Sequence, residues 1–177
     1  MKGSRLRAAL RAHRAARPAP SGTDAARLMF VACSESVASA ELLVAFPAAY
    51  VLQTLAGRQG DSESALRTTL EYGVLASGVR HVVLCGHCGC WGDEGAPTPE
   101  ASQARVVARC RAMYGDEQLG AVLRRADVII EALWFDEPAR DVFACDLNGR
   151  PPRCLEDGDL AALFNRFDEL SVSRRGH

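Results

Sequence analysis

The sequence predicts an α/β domain built around a mainly parallel sheet. Short apolar segments alternate along the chain with longer segments whose apolar residues recur at helical spacing. The connection between the first two predicted strands is long enough for a parallel crossover. No apolar run approaches the roughly twenty residues that a membrane-spanning helix needs, since the longest covers residues 42–52 and contains a proline. We therefore expect no membrane span.

The composition is that of an ordinary globular domain. The chain has 177 residues, of which 48% are apolar and 24% are charged, with a formal net charge of −1. These values argue against a disordered, collagen-like or coiled-coil chain, and the length suffices for one sizeable core. A single domain over residues 27–177 is the prediction.

Residues 1–26 are predicted to form a basic helix followed by a linker. The first twenty residues contain six basic residues and no acidic one. Leu6, Ala9, Leu10 and His13 follow helical spacing, which predicts a helix over residues 4–16 with a modest apolar stripe. We expect this stripe to lie on its own domain or on a sister subunit. Attachment to nucleic acid or to a membrane surface is the alternative, and the sequence favours it less.

Seven cysteines indicate metal or redox chemistry. The odd number leaves at least one thiol unpaired in a full intramolecular disulfide scheme, and the N-terminal region lacks the apolar segment of a secretory signal. A reducing compartment, with the cytoplasm as the default, is therefore expected.

Strands and helices follow each other in a regular order. An apolar run from Arg27 predicts a first strand that ends at Cys33, and the sequence HVVLCG predicts a second strand that ends just before His87. Between them, apolar residues four apart behind Ser62, with Gly78 as a stop signal, predict a helix over residues 62–77. Further helices are predicted over residues 100–114, over 117–125 and after residue 157, and further strands over 127–135 and 141–146.

Three potential zinc ligands lie at predicted strand ends. Cys33 follows the first strand, and His87 and Cys90 follow the second, with two glycines that relax the backbone of the second loop. In parallel sheets binding groups gather at the carboxyl ends of strands, and zinc prefers thiolate and imidazole ligands. The alternatives are two core cysteines beside a loop histidine, or a redox pair formed by Cys85 and Cys88.

Three segments in this order resemble the β-class carbonic anhydrases: Cys33-Ser-Glu-Ser-Val37, Leu70-Glu-Tyr-Gly-Val74 and Leu84-Cys-Gly-His-Cys-Gly-Cys90. The resemblance covers residues 28–146. It implies a mainly parallel sheet of four to five strands flanked by helices, in a homodimer or a larger homo-oligomer. It also implies zinc as the cofactor, bound by Cys33, His87 and Cys90.

The resemblance implies a zinc lyase, carbonate dehydratase. In that family a zinc-bound hydroxide attacks carbon dioxide to give bicarbonate, next to an Asp–Arg pair. Here Glu35 and Val37 occupy the two positions. Glu35 is therefore the predicted catalytic residue, which accepts a hydrogen bond from the bound water, although Glu35 or Cys88 filling the fourth zinc position remains open.

Two other functions stay compatible with the sequence. Val37 offers no side-chain donor or charge, which favours a catalytically silent zinc-binding homologue that acts as a structural or interaction subunit. The apolar segment at residues 45–50 suits a linear apolar substrate, so a hydrolase of carbonyl sulfide or carbon disulfide is the other alternative.

Overall fold

The structure is a computed structural model that describes residues 5–15, 27–54, 61–90 and 98–171. Within these residues six helices flank one six-stranded sheet of order β2-β1-β3-β4-β5-β6. The helices are α1 Arg5–Ala15, α2 Val37–Ala45, α3 Asp61–Leu75, α4 Pro99–Gly115, α5 Glu117–Arg125 and α6 Asp157–Ser171. The strands are β1 Leu28–Cys33, β2 Tyr50–Thr54, β3 His81–His87, β4 Ile129–Asp136, β5 Asp141–Cys145 and β6 Arg153–Cys154.

The sheet is mainly parallel, which confirms the predicted fold class. β1 pairs in parallel with β2 and β3, and β3 pairs in parallel with β4. β5 and β6 are antiparallel additions at one edge. The sheet has one strand more than the five expected, because the two residues of β6 pair with Phe143 and Ala144 of β5.

Helix α2 and strand β2 are absent from the predicted order of elements. The sequence of α2, VASAELLVA, has no polar face, and both Val37 and Val44 are more than half exposed. Periodicity cannot identify a helix whose exposed residues are apolar too. β4 begins two residues later than predicted, because Asp127 has a positive φ of 53° that is incompatible with an extended strand.

Apolar side chains cover both faces of the sheet. On one face α1, α2 and α6 bury a group of aromatic rings that includes Phe30, Phe46, Phe164 and Phe167. On the other face α3, α4 and α5 pack on Val82, Leu84 and Trp134. None of the described helices is both long enough and apolar enough to span a bilayer.

The basic helix α1 belongs to the first of these layers. Leu6 and Leu10 are each 4% exposed, and the helix packs against α2 and α6. Arg7 on its outer side pairs with Glu41 of α2 at 2.7 Å. The apolar stripe of the helix thus lies on its own chain. The division into residues 1–26 and 27–177 stays a prediction, and the linker at residues 16–26 lies outside the described residues.

The exposed start of β4 is covered by a side chain. β5 pairs with β4 only from Ala132 onward. The Tyr114 hydroxyl of α4 donates to the Val128 carbonyl and accepts from the Ile130 N–H, both at 3.0 Å. The two backbone groups that β5 leaves without a ladder partner therefore have one in α4.

A half-buried carboxylate links the sheet to α6. Glu131 Oε2 lies 2.9 Å from Nε2 of the buried His81, and both Glu131 oxygens lie 2.7 Å from the Arg166 guanidinium. Burial raises the pKa of Glu131, but the His81 imidazole and the Arg166 guanidinium outweigh that effect. The pKa of Glu131 therefore lies below its usual value.

We expect Glu131→Gln to destabilise the protein by about 1–3 kcal/mol at neutral pH, because His81 and Arg166 lose their charged partner. The folded-state pKa of Glu131 is lowered, so its contribution is complete above the usual carboxyl pKa and is lost as the pH falls through the folded-state pKa. Denaturant unfolding of wild type and variant between about pH 7 and pH 3 measures this difference. The exposed Glu169→Gln on α6 is the control. A difference that persists at the acidic end would contradict the assignment.

Candidate metal centre

Four side chains with ligating atoms meet at the carboxyl ends of β1 and β3. They are Cys33, Glu35, His87 and Cys90, and their ligand atoms all lie within 4.8 Å of one another. The two sulfurs are 3.8 Å apart, and the Cys33 sulfur is 3.9 Å from Glu35 Oε2. The structure therefore brings together all four site residues that the sequence singled out.

The turn after β1 is held by backbone hydrogen bonds. The Ser36 N–H donates to the Cys33 carbonyl at 3.2 Å, and the Glu35 N–H donates to the Cys33 sulfur at 3.4 Å. The Ser34 N–H donates to the Thr54 carbonyl at the end of β2, at 3.0 Å. These bonds position Cys33 and the backbone of Glu35.

The loop after β3 is held from two other elements. The Cys88 N–H donates to the Phe135 carbonyl of β4 at 3.0 Å. The buried Ser102 of α4 lies with its hydroxyl 3.5 Å from the His87 carbonyl and accepts the Trp134 indole N–H at 2.9 Å. Gly89 has a φ of +68°, a conformation that suits glycine and lets the chain turn back so that Cys90 faces His87.

The donor set fits a zinc ion. His87 is 4% exposed, and neither ring nitrogen has a hydrogen-bond partner within the described residues. A buried imidazole without a partner is costly, and a metal bound at one nitrogen relieves part of that cost. Two thiolates, an imidazole and a carboxylate are all ligands that Zn²⁺ accepts.

Cys88 lies outside this group of four. Its sulfur accepts the Glu137 N–H at 3.3 Å. Burial raises the pKa of the Cys88 thiol, the neighbouring acids Asp136 and Glu137 add to that effect, and the hydrogen bond from Glu137 opposes it. Of the two candidates for a fourth ligand, the geometry places Glu35 and not Cys88 beside the other three.

Cys85, Cys110 and Cys145 are buried thiols outside the group of four, and Cys154 is partly exposed. No disulfide joins any of the seven cysteines. Burial raises the pKa of Cys85 strongly, and it raises the pKa of Cys110 to about 12 and of Cys145 to about 11. A thiol that stays protonated is a poor nucleophile, and the raised pKa of Cys85 therefore argues against the redox alternative.

Glu137 is a residue of this region that the sequence analysis did not single out. Its Oε1 atom accepts the Ser36 hydroxyl at 2.8 Å and the Val37 N–H at 2.9 Å. The side chain of Val37 itself is 58% exposed. The sequence could have indicated Glu137 by its position directly after β4, because Cys33 and His87 also lie at the carboxyl ends of their strands.

A parallel sheet with thiol, imidazole and carboxylate groups gathered at its strand ends defines an α/β protein with a potential metal centre. The family model described as carbonic anhydrase matches residues 28–118, which is just over half of the chain. The chain belongs to the β-carbonic anhydrase family. Among curated proteins no relative matches it.

Solved structures share the fold at low sequence identity. A mutant of the β-carbonic anhydrase CafD of Aspergillus fumigatus is 16% identical over 71% of this chain and 90% of its own, with a TM-score of 0.51. A tetrameric β-carbonic anhydrase of Sordaria macrospora is 16% identical over 70% of this chain and 82% of its own, with a TM-score of 0.53. Coccomyxa β-carbonic anhydrase in complex with acetazolamide is 16% identical over 86% of both chains, with a TM-score of 0.50.

Gly86, directly before His87, allows α4 to approach β3. A Cβ atom at this position would lie 2.2 Å from Val106 Cγ2 and 3.2 Å from Trp134. We expect Gly86→Ala to destabilise the protein by about 1–3 kcal/mol through overpacking. Because the clash is with a Val106 methyl group, the double variant with Val106→Ala should be less destabilised than the sum of the two single variants. Denaturant unfolding of the four proteins measures this coupling, and additive effects would refute the contact as the cause.

Proposed function

We propose that the protein is a zinc-dependent carbonic anhydrase that reversibly hydrates carbon dioxide to bicarbonate. The observation that carries this proposal is the convergence of Cys33, His87 and Cys90 within 4.8 Å, inside the segment that matches the family. The buried imidazole without a hydrogen-bond partner and the two nearby sulfurs support zinc as the metal.

Each residue of the site would have a distinct task. Cys33, His87 and Cys90 would hold zinc, which when bound lowers the pKa of a coordinated water toward neutrality. Glu35 would accept the hydrogen bond of that water at a carboxylate oxygen and so orient it toward carbon dioxide. The hydration also releases a proton, and Glu35 is exposed, so its carboxylate connects the site with solvent.

A second candidate is a catalytically silent zinc protein, and the observation that favours it is Val37. Its exposed side chain can neither hydrogen-bond to Glu35 nor balance its charge. Glu35 lies close enough to the other three ligand atoms to be a fourth ligand, which would close the site in the manner of structural zinc.

We also propose a homo-oligomer, a dimer or larger, in the cytoplasm. Apolar side chains are exposed on α2 and on the edge strand β2, with Val37 58%, Val44 56% and Tyr50 40% accessible. Such surfaces are typical of subunit contacts. The Sordaria macrospora relative is described as tetrameric.

Metal content and turnover test the proposal together. We expect about one zinc per chain in wild type and a large loss in Cys90→Ala, since two of three ligands cannot retain the ion. Cys88→Ala should keep its zinc, because Cys88 lies outside the group of four. Mass spectrometry of the metal measures both variants. Equal loss in Cys88→Ala would mean that the site needs the Cys88 sulfur, as a ligand or through its hydrogen bond from the Glu137 N–H.

Stopped-flow hydration of carbon dioxide then decides between the two candidates. Turnover well above that of Cys90→Ala establishes the enzyme. Zinc at one per chain without turnover excludes the anhydrase, and hydrolysis of carbonyl sulfide or carbon disulfide then separates a hydrolase from the silent homologue. A wild-type protein that binds no zinc refutes both.

Glu35 and Val37, which stand where the β-class carbonic anhydrases have an Asp–Arg pair, give a separate prediction. Glu35→Asp combined with Val37→Arg should raise the hydration rate about tenfold or more, because an arginine beside the carboxylate fixes the acceptor in place. Val37→Lys with Glu35→Asp is the matched control, since lysine supplies a charge without the planar fork of arginine. An unchanged rate in the arginine variant would mean that the site has been remodelled beyond these two residues.

A further inference from the structure

We infer that Glu137 is a positioning residue that holds the two ligand-bearing loops of the metal centre in their relative places. The inference rests on the proposed zinc site. It concerns how the chain itself, through a residue that binds no metal, sets the geometry of that site.

The direct pairing of β1 with β3 ends before the ligands begin. Its last register pair is Ala32 with Cys85. Cys33 and Glu35 on one side, and His87 and Cys90 on the other, all lie beyond that pair. The ladder therefore brings the two loops to the same edge of the sheet, but the loops themselves lie beyond its last pair.

Strand β4 reaches further along the sheet. Its pairing with β3 continues to His87 and Phe135, and Glu137 follows two residues later. From there the Glu137 N–H donates to the Cys88 sulfur at 3.3 Å, which holds the loop after β3.

The side chain of the same residue holds the loop after β1. Its Oε1 atom accepts both the Ser36 hydroxyl at 2.8 Å and the Val37 N–H at 2.9 Å. Ser36 in turn donates its N–H to the Cys33 carbonyl, so the carboxylate acts on the turn that carries Cys33 and Glu35. One residue thus contacts both loops.

Charge makes this contact strong. Val37 is the first residue of α2, and the N-terminal N–H groups of a helix attract an anion. A carboxylate that accepts two hydrogen bonds there forms stronger bonds than a neutral acceptor would. The turn that holds Glu137 is itself fixed, since Asp136 Oδ1 accepts the Ala139 N–H at 3.1 Å.

Zinc affinity of the full chain tests the inference. Competition with a chromophoric chelator should show that Glu137→Ala weakens zinc binding by about 10- to 100-fold, the range typical of residues that orient metal ligands. Glu137→Gln, which keeps an acceptor oxygen without the charge, should recover part of the loss. The exposed Glu169→Ala is the matched control and should bind zinc as wild type does.

Two further readouts separate positioning from simple stabilisation. The visible absorption bands of the cobalt(II)-substituted protein should shift in Glu137→Ala, since they report ligand geometry. Ser36→Ala removes a single hydroxyl and should weaken zinc binding in the same direction, and in the double variant with Glu137→Ala it should add less than it does alone.

Three outcomes would overturn the inference. Unchanged zinc affinity and cobalt spectrum, with only a lower unfolding free energy, would make Glu137 no more than a helix cap. If Glu137→Ala does not fold, an unchanged affinity in both Ser36→Ala and Glu137→Gln would refute it equally. A wild-type chain that binds no zinc would instead refute the proposed function, and the inference with it.

Discussion

Parallel pairing of β1 with β3 is the constraint on which the rest of the structure depends. Cys33 and Cys90 are 57 residues apart in the sequence, yet their sulfurs lie 3.8 Å apart because both strands end at the same edge of the sheet. Parallel strands need a crossover, and α2, β2 and α3 form it. The apolar layers on both faces then keep this pairing in place.

The candidate metal centre contains a buried polar side chain whose ring nitrogens lack hydrogen-bond partners in the part of the chain that the structure describes. The half-buried Glu131 has two partners, His81 and Arg166. At the strand ends, neither ring nitrogen of the buried His87 has a hydrogen-bond partner within the described residues, beside two sulfurs and a carboxylate. Local costs of this kind are typical of functional sites, where a ligand supplies what the chain omits.

The sequence predicts an element where its apolar residues form a recognisable pattern, and the elements without such a pattern were missed. Three strands, β1, β3 and β4, are short apolar runs, which predict buried strands. Helix α3 has apolar residues four apart, which predicts a helix. The positions of Cys33, His87 and Cys90 followed from strand ends alone. α2 was missed because its exposed side is apolar, and β6 because two residues carry no pattern. Glu137 was missed because its partners lie about one hundred residues earlier.

The hydrogen bonds of the Tyr114 hydroxyl oppose aggregation through strand addition. A strand edge with free N–H and carbonyl groups is a template on which another chain can add, and such growth leads to aggregates. Next to the exposed Ile129, Tyr114 occupies the Val128 carbonyl and the Ile130 N–H, so any incoming strand would first have to break two hydrogen bonds. The edge strand β2 has no such cover from Tyr114. The Tyr114 hydroxyl thus protects the exposed start of β4 from the addition of a foreign strand.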